Sequence, residues 1–123
     1  MLLNNFFEID NLVVSDDRTN ATAQVTLNPK HPIFKGHFPE SPVVPGVCMI
    51  QMIKEILSDI LQAEIMLTKS SAIKLNNLLT PLQNLIINFD LKIRNIDRNN
   101  IHVNCKIFFE DTNFCNFTGD FRI

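Results

Sequence analysis

Along this chain, runs of alternating apolar and polar residues flank a single stretch with helical spacing. Phe6 to Val14 is rich in β-forming residues, and Ala21, Ala23, Val25 and Leu27 alternate with polar neighbours. This predicts a first strand and a half-buried second one, with Asp16-Asp17-Arg18 as the turn between them. From about Val47 to Leu61, Ile50, Ile53, Leu57, Ile60 and Leu61 recur at helical intervals. Pro45 and Gly46 stand just ahead, where a helix begins with bare N–H groups. Strand-like runs follow at about 71–79, 84–95 and 101–109, with a last short one near 114–122. Asp97-Arg98-Asn99-Asn100 and Asp111-Thr112-Asn113 are turn clusters that suit antiparallel hairpins. One long apolar helix after two strands, then a strand meander, predicts an α+β class with an antiparallel sheet wrapped on that helix. The pattern gives the class without the topology.

A length of 123 residues predicts one domain over 1–123. An apolar fraction of 46% with 20% charged residues reads as globular. Ten Phe with no Trp or Tyr supply aromatic bulk without a polar handle, which suits a dry core or an apolar channel. The net charge of -2 leaves no electrostatic footprint for nucleic acid. The start Met1-Leu-Leu-Asn lacks the basic and apolar segments of a signal peptide, and no run approaches a membrane span. Cys48, Cys105 and Cys115 form no C-x-x-C pair, so reduced thiols and a cytoplasmic location are expected. The dispersed His31, His37 and His102 predict no metal site.

The chemistry concentrates between His31 and Gln51. His37 lies in a loop stiffened by Pro32, Pro39, Pro42 and Pro45, each of which fixes φ and removes a donor. Ordering a loop in this way lowers the entropy cost of holding one reactive geometry. Imidazole titrates closest to neutrality, which makes His37 the candidate base, although a loop histidine that only bonds backbone has the same sequence. Gly36, His37, Phe38, Pro39, Pro42, Val43, Pro45, Gly46 and Val47 resemble, in order and spacing, the signature of the β-hydroxyacyl-acyl-carrier-protein dehydratases (FabZ/FabA-like) of fatty-acid synthesis, a hotdog-fold family. A weaker echo runs from Ile73 to Pro81, where the family has a strand ending near a proline.

The resemblance implies a hotdog fold, with the sheet curled around the central helix and two subunits joined edge to edge, as a homodimer or with a related hotdog chain. It also implies that His37 is the base, that the Gly46 N–H polarises the thioester carbonyl, and that Phe38, Pro39, Val43 and Val47 bind substrate. The implied partner is acyl carrier protein with a phosphopantetheine-linked acyl chain, and no cofactor is implied. The family carries a helix carboxylate where this chain has Gln51, and an amide can hydrogen-bond a hydroxyl but cannot deliver a proton. Gln51, Glu55, Ser58 and Gln62 fall on one helical stripe, either as a plain polar face or with Glu55 as the acid one turn on. With Phe6 opening the first predicted strand, the family's usual His- and Pro-containing lead-in segment is expected to be absent.

Other residues read more simply. His31 packs or caps at a strand end, His102 faces solvent from a strand, and Cys48 is a small core residue. Glu40 sits in solvent beside the motif. Lys30, Lys35 and Lys54 cluster near the expected entrance, as solvated surface or as contacts for an acidic carrier. The phenylalanines read as core, with Phe34 and Phe38 flanking the motif. Three functions remain open: a 3-hydroxyacyl thioester dehydratase, a thioesterase of the same fold, and an acyl-binding subunit that completes a partner's site.

Overall fold

The computed structural model describes residues 5–34 and 42–123. Strands β1 (Phe7–Val14) and β2 (Asn20–Leu27) come first, then a short 3₁₀ turn at Pro32–Phe34 and helix α1 (Gly46–Leu61). Strands β3 (Met66–Leu75), β4 (Ile86–Asn95), β5 (Asn100–Phe109) and β6 (Thr112–Arg122) follow. They form one 6-stranded antiparallel sheet in the order β1-β2-β4-β5-β6-β3. Its first two expected strands, its helix and its closing hairpins lie where the hydrophobic pattern put them.

The register explains the core. Ala23 pairs with Phe89, Leu91 with Cys105, and Cys105 with Phe117, so each strand turns its apolar set to the same face. Against that face α1 buries Cys48, Met49, Met52, Ile53, Ile56, Leu57 and Ile60. An apolar arc this wide needs cover on several sides, and the curled sheet supplies it. The result is the expected hotdog arrangement, and no charged or polar residue is buried among the described residues. Of the described phenylalanines, Phe6, Phe34, Phe89, Phe114, Phe117 and Phe121 are buried, whereas Phe108 lies partly exposed with Lys106 Nζ 5.0 Å from its ring centre.

The turns form for the reasons their sequences suggest. Asp17 Oδ1 accepts from Ser15 Oγ at 2.8 Å, Thr19 N at 3.1 Å and Thr19 Oγ1 at 2.8 Å, while Arg18 takes φ 59. Asp97 Oδ1 accepts from the amides of Asn99 at 2.9 Å and Asn100 at 3.0 Å. These bonds, led by the Ser15 hydroxyl and the Asn99 amide respectively, hold both carboxyls below their usual range.

Three expectations need correction. The third strand runs over Met66–Leu75 rather than 71–79. It is the sheet edge and exposed on both faces, so no alternation marks its polar first half, while Leu78 and Leu79 beyond it mimic a strand. Leu79 is instead buried in the following loop, where its carbonyl accepts the Val44 N–H at 2.8 Å. The last strand is 11 residues long rather than short, because it sits between β5 and β3 and pairs with both. His102 does not face open solvent: its Nδ1 lies 2.6 Å from Asp120 Oδ1 on the neighbouring strand, with the side chain 23% exposed.

Candidate functional site

Helix α1 starts without a side-chain cap. Pro45 occupies the N-cap with φ -64 and ψ 150, an extended geometry that its ring favours. The Cys48 and Met49 amides both bond the Pro45 carbonyl, at 3.0 and 3.2 Å. Among the described residues the Gly46 and Val47 N–H groups meet no acceptor, so they stand open at the positive end of the helix dipole. The Pro42–Pro45 segment approaches in a fixed path, pinned by the bond from Val44 N to Leu79 O.

Beside this helix start lies an aliphatic wall. A side chain built on Gly46 would meet Leu75 Cδ1 at 3.5 Å and Ile73 Cδ1 at 4.0 Å. Leu75 is 56% exposed and Val47 69%, so the wall and the open amides share one surface. Val43 is half-buried behind it. The geometry offers two hydrogen-bond donors next to a hydrocarbon surface, a fit for a carbonyl carried on an acyl chain.

Strand β3 continues this wall along the helix. Leu67, Ser70, Ile73 and Leu75 pair with Phe121, Gly119, Phe117 and Cys115, whose side is the inner face of the sheet. The chain reverses after α1, so Leu75 lies by the helix start and Ile65 by its far end. There a groove of about 480 Å³ is lined by Gln51, Lys54, Glu55, Ser58, Asp59, Glu64 and Ile65. Within it Gln51 Nε2 donates to Glu55 Oε2 at 3.3 Å, and both side chains are half-buried. A concavity of about 540 Å³ at Asn5, Phe7, Glu8, Thr26, Leu27, Asn28 and Pro29 is larger but is lined by no residue of α1 or β3.

Of the residues singled out in the sequence, the structure brings Gly46 and Val47 together at the helix start, and Gln51, Glu55, Ser58 and Lys54 together in the groove. Gln62 leaves the expected stripe: it ends the helix in a left-handed conformation, φ 53, and turns its Nε2 onto Asp59 O at 2.6 Å. His37, Phe38, Pro39, Glu40 and Lys35 lie outside the described residues. His31, at the near side of that segment, packs its ring edge-on against Phe6 at 5.2 Å and accepts the Ile33 N–H on Nδ1 at 3.1 Å. Phe6 in turn stacks on Phe34 at 5.4 Å. Cys48 is buried as expected, which pushes its thiol up. Among the described residues no group of histidine, cysteine and carboxylate side chains is placed to hold a metal. No helix there is long and apolar enough to cross a membrane. Leu75 and Glu64 were not anticipated as site residues, because only the return of β3 along the helix brings them there.

A curled antiparallel sheet around one central helix defines the hotdog class. Comparison with known proteins narrows this. Residues 13–116 match the family described as ApeI-like, ApeI dehydratase, and the chain belongs to that family. It is similar to the 3-hydroxyacyl-[acyl-carrier-protein] dehydratase FabZ of Streptococcus mutans, 46% identical over 44 residues. The FabZ of Aeromonas hydrophila is 39% identical over 44 residues. Each stretch covers 36% of this chain, and it spans only 30% and 29% of those two relatives. Among solved structures, the dehydratase heterocomplex ApeI:P from Xenorhabdus doucetiae superposes with a TM-score of 0.73 at 16% identity, covering 94% of this chain and 97% of that one. A hypothetical thioesterase with coenzyme A from Streptococcus pneumoniae gives 0.65 at 11% identity over 94% and 84%. At these identities the likeness is one of fold.

Proposed function

We propose that this chain is a dehydratase that converts 3-hydroxyacyl thioesters to enoyl thioesters. The observation that carries the reading is the uncapped helix start, with the Gly46 N–H open beside Ile73 and Leu75, in a member of a dehydratase family. Elimination requires charge to develop on the thioester oxygen as the C2 proton leaves. Donors at a helix N-terminus stabilise that charge at no reorganisation cost. His37 takes the C2 proton, Gly46 N–H receives the carbonyl, and Gln51 hydrogen-bonds the C3 hydroxyl. Phe38, Pro39, Val43 and Val47 contact the acyl chain. The substrate arrives on the phosphopantetheine arm of acyl carrier protein, in the cytoplasm, and Lys54 at the groove is suited to its acidic surface.

The working unit is a dimer built on β3, with a second copy or with a related hotdog chain. An edge strand exposed along nearly its whole length is a template for another strand, and pairing removes that liability. The heterocomplex named for the structural neighbour favours a related chain as the partner. The test is to mix the chain, alone and with any hotdog subunit that co-purifies, with a 3-hydroxyacyl thioester of carrier protein and follow enoyl product and free thiol. Enoyl formation that disappears in His37→Ala supports the proposal. Free thiol without enoyl product points to a thioesterase instead, and activity only in the mixed complex points to a subunit that completes a partner's site.

A further inference from the structure

A net charge of -2 conceals an uneven distribution. On the outer face of the sheet, turned away from α1, strands β4, β5, β6 and β3 carry Lys92, Arg94, Lys106, Arg122, Lys69 and Lys74. All six are exposed, out of eleven Lys and Arg in the whole chain. Only two of its thirteen Asp and Glu, Asp90 and Asp120, stand among them. We infer that this face docks the acidic surface of a protein partner, a helix bearing glutamate or aspartate on successive turns. The inference goes beyond the dehydratase reading and does not depend on it, because the face lies across the sheet from the helix start.

Register sets the layout. Arg94, His102, Asp120 and Lys69 form one row across the four strands, and Asp90, Lys106, Asn116 and Lys74 form another. Lys92, Asn104, Thr118 and Ala72 lie between them. Strand spacing and rise per residue make this field about 14 Å in each direction. None of the six cations makes an ion pair among the described residues. Asp120 is the carboxylate placed to neutralise Arg94 and Lys69, and His102 Nδ1 already holds its Oδ1 at 2.6 Å. Three of the cations meet neutral groups instead. Lys92 Nζ donates to Asn20 Oδ1 at 2.9 Å, Arg122 Nη2 lies 3.5 Å from Met66 Sδ, and Lys106 Nζ stands over Phe108. These contacts steady the side chains without cancelling their charge.

Between Lys92 and Lys106 the face dips into a depression of about 290 Å³, lined also by Asn104, Asn116 and Thr118. Thr118 Oγ1 donates to Asn104 Oδ1 at 2.7 Å, and Asn104 Nδ2 meets no acceptor among the described residues. Two ammonium groups and an unused amide around one depression suit a carboxylate. A continuous phosphate backbone would run against Asp90 and Asp120, and like charges brought face to face are costly. A protein helix sets carboxylates about 5 or 11 Å apart, one or two turns, with donors between them that can meet the two aspartates. A second copy of this chain is a poorer match. The remaining strands of its outer face offer Glu8 and Asp10, and Asp10 is engaged by Thr26 Oγ1 at 2.5 Å. Pairing through the edge of β3 uses backbone groups and leaves this face open.

The probe is a labelled helical peptide of about 20 residues with glutamate in every turn of one face. Binding is read by fluorescence anisotropy at low salt, on the full chain with any hotdog subunit that accompanies it, and mapped by amide chemical shifts. Saturable binding that weakens as salt rises is expected, with shifts at Lys92, Asn104, Lys106 and Thr118. Lys92→Gln/Lys106→Gln is expected to weaken it about tenfold, and Lys69→Gln/Lys74→Gln in the same direction. Two pairs are used, each checked by thermal unfolding, so that a loss of fold in one does not decide the result. Arg18→Gln/Lys30→Gln removes the same charge from outside the face and is expected to stay within about twofold of wild type. That contrast separates a docking face from general attraction. Equal weakening in all three pairs, or no binding at low salt, overturns the inference. Tighter binding of single-stranded DNA, or of vesicles containing phosphatidylglycerol, overturns it in favour of a phosphate-bearing partner. Self-association that Lys92→Gln/Lys106→Gln abolishes overturns it in favour of a second copy.

Discussion

Replacing Gly46 with alanine separates the structural from the functional demand at the helix start. The added methyl would lie 3.5 Å from Leu75 Cδ1 and 4.0 Å from Ile73 Cδ1, ordinary contact distances, and Gly46 does not have positive φ. Nothing among the described residues therefore requires glycine at this position. Alanine restricts the unfolded chain more than glycine does, which stabilises the fold by about 0.4–1 kcal/mol. In a domain of this size that raises Tm by roughly 1–5 °C. The methyl occupies the space between the open amide and the aliphatic wall, where the thioester carbonyl is placed. Alanine keeps the N–H, but a methyl that bars the carbonyl from it forfeits its contribution, which for one such donor is about 10²–10³ in kcat. Gly46→Ala is thus expected to be more stable and less active, by thermal unfolding in one assay and enoyl formation in the other. A variant with raised Tm and activity within threefold of wild type would refute the placement of the thioester carbonyl between the Gly46 amide and the Ile73–Leu75 wall. A variant with a clearly lowered Tm would refute the account of the helix start itself.

Gly119→Ala tests the opposite case. Its Cβ would stand 2.6 Å from Phe117 Cζ and 2.7 Å from the Lys69 carbonyl oxygen. The ring can swing but the β3 backbone cannot, so a loss of roughly 1–3 kcal/mol is expected in denaturant unfolding, with β3 displaced. No change in midpoint would contradict the close β3–β6 approach. The three thiols are expected to resist alkylation in the native protein at pH 8 and to react in denaturant. Burial raises all three, Cys115 to about 11, which leaves about a thousandth of it as thiolate at that pH. Because this folded value is raised, the Cys115 contribution to stability is full below its ordinary value of 9.0 and fades as pH climbs toward 11. Rapid native labelling of Cys115 at pH 8 would refute its burial.

Much of this was legible in the residues because local and global demands agree. Ala21, Ala23, Val25 and Leu27 announce a strand with one dry face, and the structure buries all four. Gln51, Glu55 and Ser58 announce a polar stripe, and they line one groove. Strand β3 escaped because it has no dry face in the single chain, so residues 66–70 carry no period-two signal. The pairing of His102 with Asp120 escaped for a different reason. Cross-strand neighbours depend on register, and nothing local ties position 102 to position 120. Gln62 left its stripe because it caps the helix, and a left-handed cap points its side chain off the helical azimuth.

The most direct test of the central claim is a crystal structure with a non-hydrolysable 3-hydroxyacyl pantetheine analogue. The account predicts the analogue's carbonyl oxygen about 2.7–3.1 Å from the Gly46 nitrogen, with its acyl chain against Val47, Ile73 and Leu75. An analogue bound with that oxygen out of reach of the helix start, or seated in the Asn5–Pro29 concavity, would contradict it.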